Sequence, residues 1–302
     1  MAFKKTGEGG NYSFWIIGGL FGLALLVLFA HSFSPAGGCV GVVEIKGPIV
    51  VDDVPGTLLS DGMQGSESIA ADIESAGRRE DVKAVLLIID SPGGSVVASR
   101  QIYDALRKLN KTSVAYLQEM AASGGYMVAA GTDEIVANPD ALTGNIGARM
   151  TFVEFSGLFL KLGINETSIK SGAMKDIGSP SRPMTPDEEM VLQSIVDESF
   201  EEFRSAVEEG RAGRLNRAEF EKVLDARILT GRQAKKIGLV DELGDKRAAI
   251  KKAAGLGGIK DEEPKICKLS SSGGNRGLLG SISSEALSLF AKGASVPKLS
   301  YD

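Results

Sequence analysis

The stretch MAASGGYMVAAG, residues 120–131, sets one serine, Ser123, before two glycines in a small and apolar run. A serine hydroxyl becomes an effective nucleophile when a positioned base takes its proton. The usual base is histidine, and the chain has a single one, His31, which reads as an interfacial residue at the end of an apolar segment. Lysine and the carboxylates are left. Lys170 and Lys175 stand in IKSGAMKDIGSP, among small and apolar residues. A lysine base has to be neutral, and bringing its amine from about 10.4 to the ~7 to 8 suited to general-base work takes roughly 4 kcal/mol, which burial can supply. Such an amine must be dry. Asp176 would hold a nearby amine charged, but side chains alternate in an extended segment, which predicts that it faces away from Lys175.

A nucleophile also needs donors for the negative charge that develops on the carbonyl oxygen. DSPGGS, residues 90–95, places two glycines after an apolar run, where a backbone N–H can be presented with no side chain in the way. If Ser123 opens a helix, the N–H groups that follow it point outward and favour an anion as well. Alone, SPGG is a common turn, and ASGG serves equally well for close helix packing. Their order, each between a strand and a helix, is what gives them weight.

The elements that must hold these turns alternate. Residues 39–47 and 83–90 are apolar, β-branched runs, and the second is continuous enough to be buried on both faces, as parallel strands are. SESIAADIESAGRRE and VVASRQIYDALRKLN have helical spacing, and TSVAYLQ is a further strand. The βαβ repetition predicts an α/β fold with a mainly parallel sheet flanked by helices, with ligands at the carboxyl ends of the strands. Further on, Thr185 with Glu188 and Thr230 with Gln233 form capping boxes, Pro186 stands at a first helical position, and Gly238 is placed to close a helix. DKRAAIKKAAGLGG makes one more helix, SSSGG reads as a linker, and SISSEALSLFAKG as a short amphipathic helix on a tail.

Between Gly9 and Val43 there is no Asp, Glu, Lys or Arg, and residues 14–33 are apolar over about the ~20 positions a bilayer requires. This predicts one N-terminal transmembrane helix, retained as an anchor because it is longer than a signal-peptide core and offers no clean cleavage site. Lys4 and Lys5 before it place the N-terminus in the cytoplasm and the remainder outside the membrane. The net charge of −5 leaves no basic footprint for nucleic acid. Cys39 and Cys267 lie far apart and outside any C-x-x-C pattern, supporting neither a zinc site nor a disulfide framework.

In order, DSPGG, MAASGGYMVA, TGNIG, KSGAMKDIGSP and TGRQAKKIGLVDELG resemble the motifs of the signal peptide peptidase A family, S49 serine proteases of the short, single-repeat type, over residues 40–256. The resemblance implies a Clp protease/crotonase-like fold and a Ser/Lys dyad, with Ser123 as nucleophile and Lys175, 52 positions later, as general base. It also implies an oxyanion hole of Gly93, Gly94 and Gly124, no metal or nucleotide cofactor, apolar signal-peptide remnants as substrate, and rings or domes whose sites can join adjacent protomers. One departure stands out. The family's loop reads T-G-S-I-G, whereas here it carries Asn145, whose amide carbonyl can still accept from an amine; Thr143 and Ser179 are possible substitutes. The chain then divides into a cytoplasmic N-terminus at 1–13, an anchor at 14–33, a peptidase domain at 39–258 and a linker and tail at 259–302. Two other readings keep the fold: a crotonase-type acyl-CoA enzyme, in which Ser123 would be replaceable, and a catalytically inactive membrane scaffold.

Overall fold

Val82–Ser91, the second strand, β2, is apolar at nearly every position because it is covered on both sides. Val85, Leu87 and Ile89 point into one core, and Ala84, Leu86 and Ile88 into the other. The structure, a computed structural model, describes residues 38–56 and 62–269. The expected membrane span, the SSSGG linker and the C-terminal helix lie outside the described residues.

Around β2 the chain follows the expected alternation: β1 (Cys39–Lys46), α1 (Ser66–Arg78), β2, α2 (Val96–Lys108), β3 (Thr112–Ala122) and α3 (Gly124–Ala130). Then come β4 (Glu134–Ala137), β5 (Leu142–Gly144), α4 (Ser156–Leu162) and α5 (Pro186–Gly210). The described chain closes with α6 (Arg217–Glu221), β6 (Ile228–Thr230), α7 (Gly231–Ile237), β7 (Glu242–Leu243), α8 (Lys246–Leu256) and β8 (Ile266–Lys268). The strands form one sheet in the order β6-β5-β3-β2-β1-β8, with β4 also on β3 and β7 on β4. Every pairing is parallel except β5 with β6. Ile69 and Ile73 of α1, Ile102 and Tyr103 of α2 and Phe203 of α5 share one core. Ala249, Ala253 and Ala254 of α8 cover the opposite face.

Both capping boxes form, at Thr185 with Glu188 and at Thr230 with Gln233, and Gly238 ends α7 at φ 90°. The strand begun by TSVAYLQ runs on to Ala122, since Asp90 Oδ1 accepts the N–H of Met120 at 3.2 Å and keeps the polar turn of sequence attached to β2. The sheet likewise continues past residue 258, because β8 pairs with β1 and Leu269 is buried.

The cysteines correct the sequence expectation. Cys39 and Cys267 are joined by a disulfide across 228 residues. Their spacing gave no sign of it, because proximity comes from β8 lying beside β1 with Gly41 opposite Cys267.

Candidate active site

Parallel register brings the two glycine turns together. Ser91 at the end of β2 is paired with Ala121 near the end of β3, so SPGG and SGG leave the sheet side by side at its carboxyl edge. Ser123 occupies the single residue between β3 and α3, with φ 53° and ψ −128°. That is a backbone region a serine enters only at a cost of order 1–3 kcal/mol, the kind of sharp strand-to-helix turn that lifts a nucleophile out of a sheet. The surroundings hold it there. Ser123 N–H donates to Gly144 O at 2.9 Å, and Ser123 O accepts from the N–H groups of Tyr126 and Met127.

The glycines are required by close approach. A Cβ on Gly93, which has φ 96°, would come within 2.7 Å of Gly124 N and 2.8 Å of Ser123 Cβ. One on Gly94 would sit 2.2 Å from Ile49 O, and one on Gly124 would sit 2.1 Å from Ser99 Oγ. Gly93 N–H is donated to Ser91 Oγ at 3.1 Å, so this residue supplies the left-handed turn and not a free donor. The N–H groups of Gly94 and Gly124 have no acceptor among the described residues. The turn is clamped from behind by Ile49, whose N–H donates to Gly93 O and whose carbonyl accepts from Ser95 N–H. Ile49 carries no motif that could have flagged it.

The other expected residues are placed as follows. Thr143 is buried and donates its hydroxyl to Ala121 O at 2.7 Å, tying β5 to β3. Asn145 takes φ 53°, and its Nδ2 donates to Ala226 O at 2.6 Å. Ser179 Oγ is bonded to Ser181 Oγ at 2.8 Å. Lys175 is exposed on a run of turns, and neither it nor Ser179 is among the residues lining the cavity beside Ser123. Asp176 does turn to other partners: Lys170 and Arg182 grip its carboxylate, with Arg182 Nη2 at 2.8 Å from Oδ1. Arg182 first, and then Lys170, hold that carboxyl well below the usual range.

The cavity into which Ser123 opens has a volume of about 30 Å³, with Met127, Ala148, Ser199 and Phe203 in its walls. Sequence reasoning missed these residues, because three helices and a loop far apart in the chain deliver them. The single cluster of three potential metal ligands among the described residues, Cys39, Asp81 and Cys267, has both sulfurs committed to the disulfide.

The family model described as Peptidase family S49 matches residues 105–260, more than half of the chain, and one described as Clp protease matches residues 62–141. A protein of Methanocaldococcus jannaschii named by inference as a protease is 42% identical over 63% of this chain and 61% of its own length. A protein of Enterococcus faecium, named by inference signal peptide peptidase SppA, is 32% identical over 67% of this chain and 59% of its own. Protease 4 of Salmonella typhi is 31% identical over 75% of this chain and 36% of its own. The chain thus matches under two thirds of the length of each of these relatives.

Proposed function

The chain belongs to peptidase family S49, and from that premise we propose that it is a membrane-anchored serine endopeptidase that cuts apolar peptides, signal-peptide remnants among them. The observation that carries the reading is Ser123, held at φ 53° between strand and helix with the unengaged N–H groups of Gly94 and Gly124 beside it. In the proposed reaction the neutral amine of Lys175 takes the Ser123 proton, and Oγ attacks the peptide carbonyl. The oxyanion is met by Gly94 and Gly124. The ammonium then returns its proton to the leaving amine as the C–N bond breaks, leaving an acyl-serine. Water, deprotonated by the same amine, releases the acid and restores the hydroxyl.

Lys175 is exposed in the single chain, whereas a lysine base requires a dry setting. We take the covering surface to be a second copy of the chain. Support comes from α4, a helix of apolar composition with no buried residue, and from Leu160 and Ile169, 76% and 98% exposed. Apolar surface left open in this way marks an interaction site. The disulfide supports a catalytic domain on the oxidising, extracytoplasmic side of the membrane.

The test uses the full chain in detergent with an apolar peptide carrying alanine at the cut. Ser123→Ala and Lys175→Ala each reduce cleavage to background while leaving assembly, measured by light scattering, unchanged. A Lys175→Ala protein with normal turnover overturns the dyad. A serine-directed fluorophosphonate labels Ser123 in the assembled wild type; its failure to label favours a catalytically inactive scaffold.

A further inference from the structure

The small cavity at Ser123 is built to measure a side chain. Its inner walls are Met127 of α3 and Phe203 of α5, 4% and 5% exposed, while Val96 is exposed at its rim. Ser199 and Phe203, four apart on α5, present one helical face to it, and α5 packs against α3. Two hydroxyls complete the lining. Ser99 Oγ donates to Ser95 O at 2.9 Å and Ser199 Oγ donates to Ile195 O at 2.9 Å. Each has therefore spent its proton within its own helix and offers only lone pairs to an occupant. No charged residue lines the cavity, so a charged side chain would enter without a counter-charge.

Space then decides what enters. A volume of about 30 Å³ has room for little more than a methyl or hydroxymethyl group, on the scale of a water molecule's share of the liquid, about 30 Å³. We propose that this cavity receives the side chain of the residue whose carbonyl Ser123 attacks, and that Phe203, closing its inner end, restricts that residue to alanine, serine or glycine. A methyl fills the space against Met127 and Phe203. A serine hydroxyl is accommodated as well, because it can donate to the waiting oxygen of Ser99 or Ser199. Valine, leucine and phenylalanine collide with the Phe203 ring. The assignment rests on the reading of Ser123 as nucleophile.

The experiment compares kcat/KM of the full-length protein in detergent on peptides identical except for alanine, serine, leucine or phenylalanine before the cut. The wild type is expected to favour alanine over leucine by on the order of 100-fold, the discrimination a misfit side chain brings in a closed apolar pocket. Phe203→Ala should cut that ratio at least about tenfold, by gaining on leucine and losing on alanine. Because Phe203 is also a core residue, Phe203→Leu, which keeps most of the packing, is measured beside it and should fall between the two. A purely structural role for Phe203 would lower all four peptides together and leave the ratio where it was, and that result overturns the assignment. Wild-type cleavage that is lost in Ser123→Ala but does not distinguish leucine from alanine also overturns it, while leaving the peptidase reading intact. A wild type that cleaves none of the peptides overturns both.

Discussion

Gly94 is the residue near Ser123 with the least freedom to change. A Cβ there would sit 2.2 Å from Ile49 O, and Ile49 is held on both sides by backbone bonds to Gly93 and Ser95. Alanine can be accommodated only by rotating the turn, which swings the Gly94 N–H away from the place where an oxyanion would form. Gly94→Ala is therefore expected to lower kcat by about 10² to 10³, the scale of losing one oxyanion donor, with a smaller change in KM. Steady-state kinetics on the alanine peptide check this; an unchanged kcat removes Gly94 from the proposed oxyanion hole. At this scale the glycine pairs and Ser123 were legible because a turn forces its residue types, whereas Ile49, Ser99 and Phe203 were not, since sheet register and helix packing bring them in. Asn145 gains a physical account beyond its departure from the family's serine. Asparagine tolerates the left-handed backbone at φ 53° better than most residues, and its amide reaches across to Ala226, itself at φ 61°.

The start of α5 shows how far an element's chemistry can be read from local pattern. Its capping box and N-terminal proline were plain in the sequence, because caps are satisfied by residues three positions apart. The cluster that anchors the box to the Lys175 segment was not. Arg182 reaches Glu188 with Nη1 at 2.8 Å and Asp176 with Nη2 at 2.8 Å, joining the turns after Lys175 to the first turn of the helix. The Arg182 guanidinium, and after it the Thr185 N–H, hold the Glu188 carboxyl at about 2, below its ordinary 4.5. Both carboxylates favour the charged form when folded, so the unfolded chain binds protons more readily as pH falls. The contribution of this cluster is thus complete above the ordinary carboxylate value and is lost as pH drops through 4.5 toward about 2. Arg182→Gln should lower Tm at neutral pH, and the gap from wild type should narrow steadily between about pH 5 and pH 2. Thermal unfolding followed by circular dichroism at each pH tests it; a gap independent of pH means that the cluster contributes by packing and not by charge.

Across the whole molecule, the parallel sheet was legible because a strand buried on both faces has to be apolar throughout, as β2 is. The disulfide and the late strands were not, since pairs such as Cys39 with Cys267 are set by topology across 228 residues. The same reasoning applies to the base. Lys175 is exposed beside a helix, α4, that buries nothing, while Ser123 sits at the sheet's carboxyl edge in a cavity that no residue of the Lys175 segment lines. If the catalytic pair forms where a second copy covers that segment, Ser123 of one protomer works with Lys175 of its neighbour, and the two defects become separable. Ser123→Ala and Lys175→Ala chains are each inactive alone. Co-expressed and purified as one closed assembly, they would mix independently, leaving about one site in four with an intact serine and an intact neighbouring lysine. The mixed assembly is therefore expected to regain about a quarter of wild-type cleavage per site, a fraction that rises and falls with the mixing ratio and peaks at equal amounts. A pair contained within one chain has no intact site in any mixture, so activity that stays at background, in an assembly shown by mass spectrometry to contain both variants, overturns the shared site.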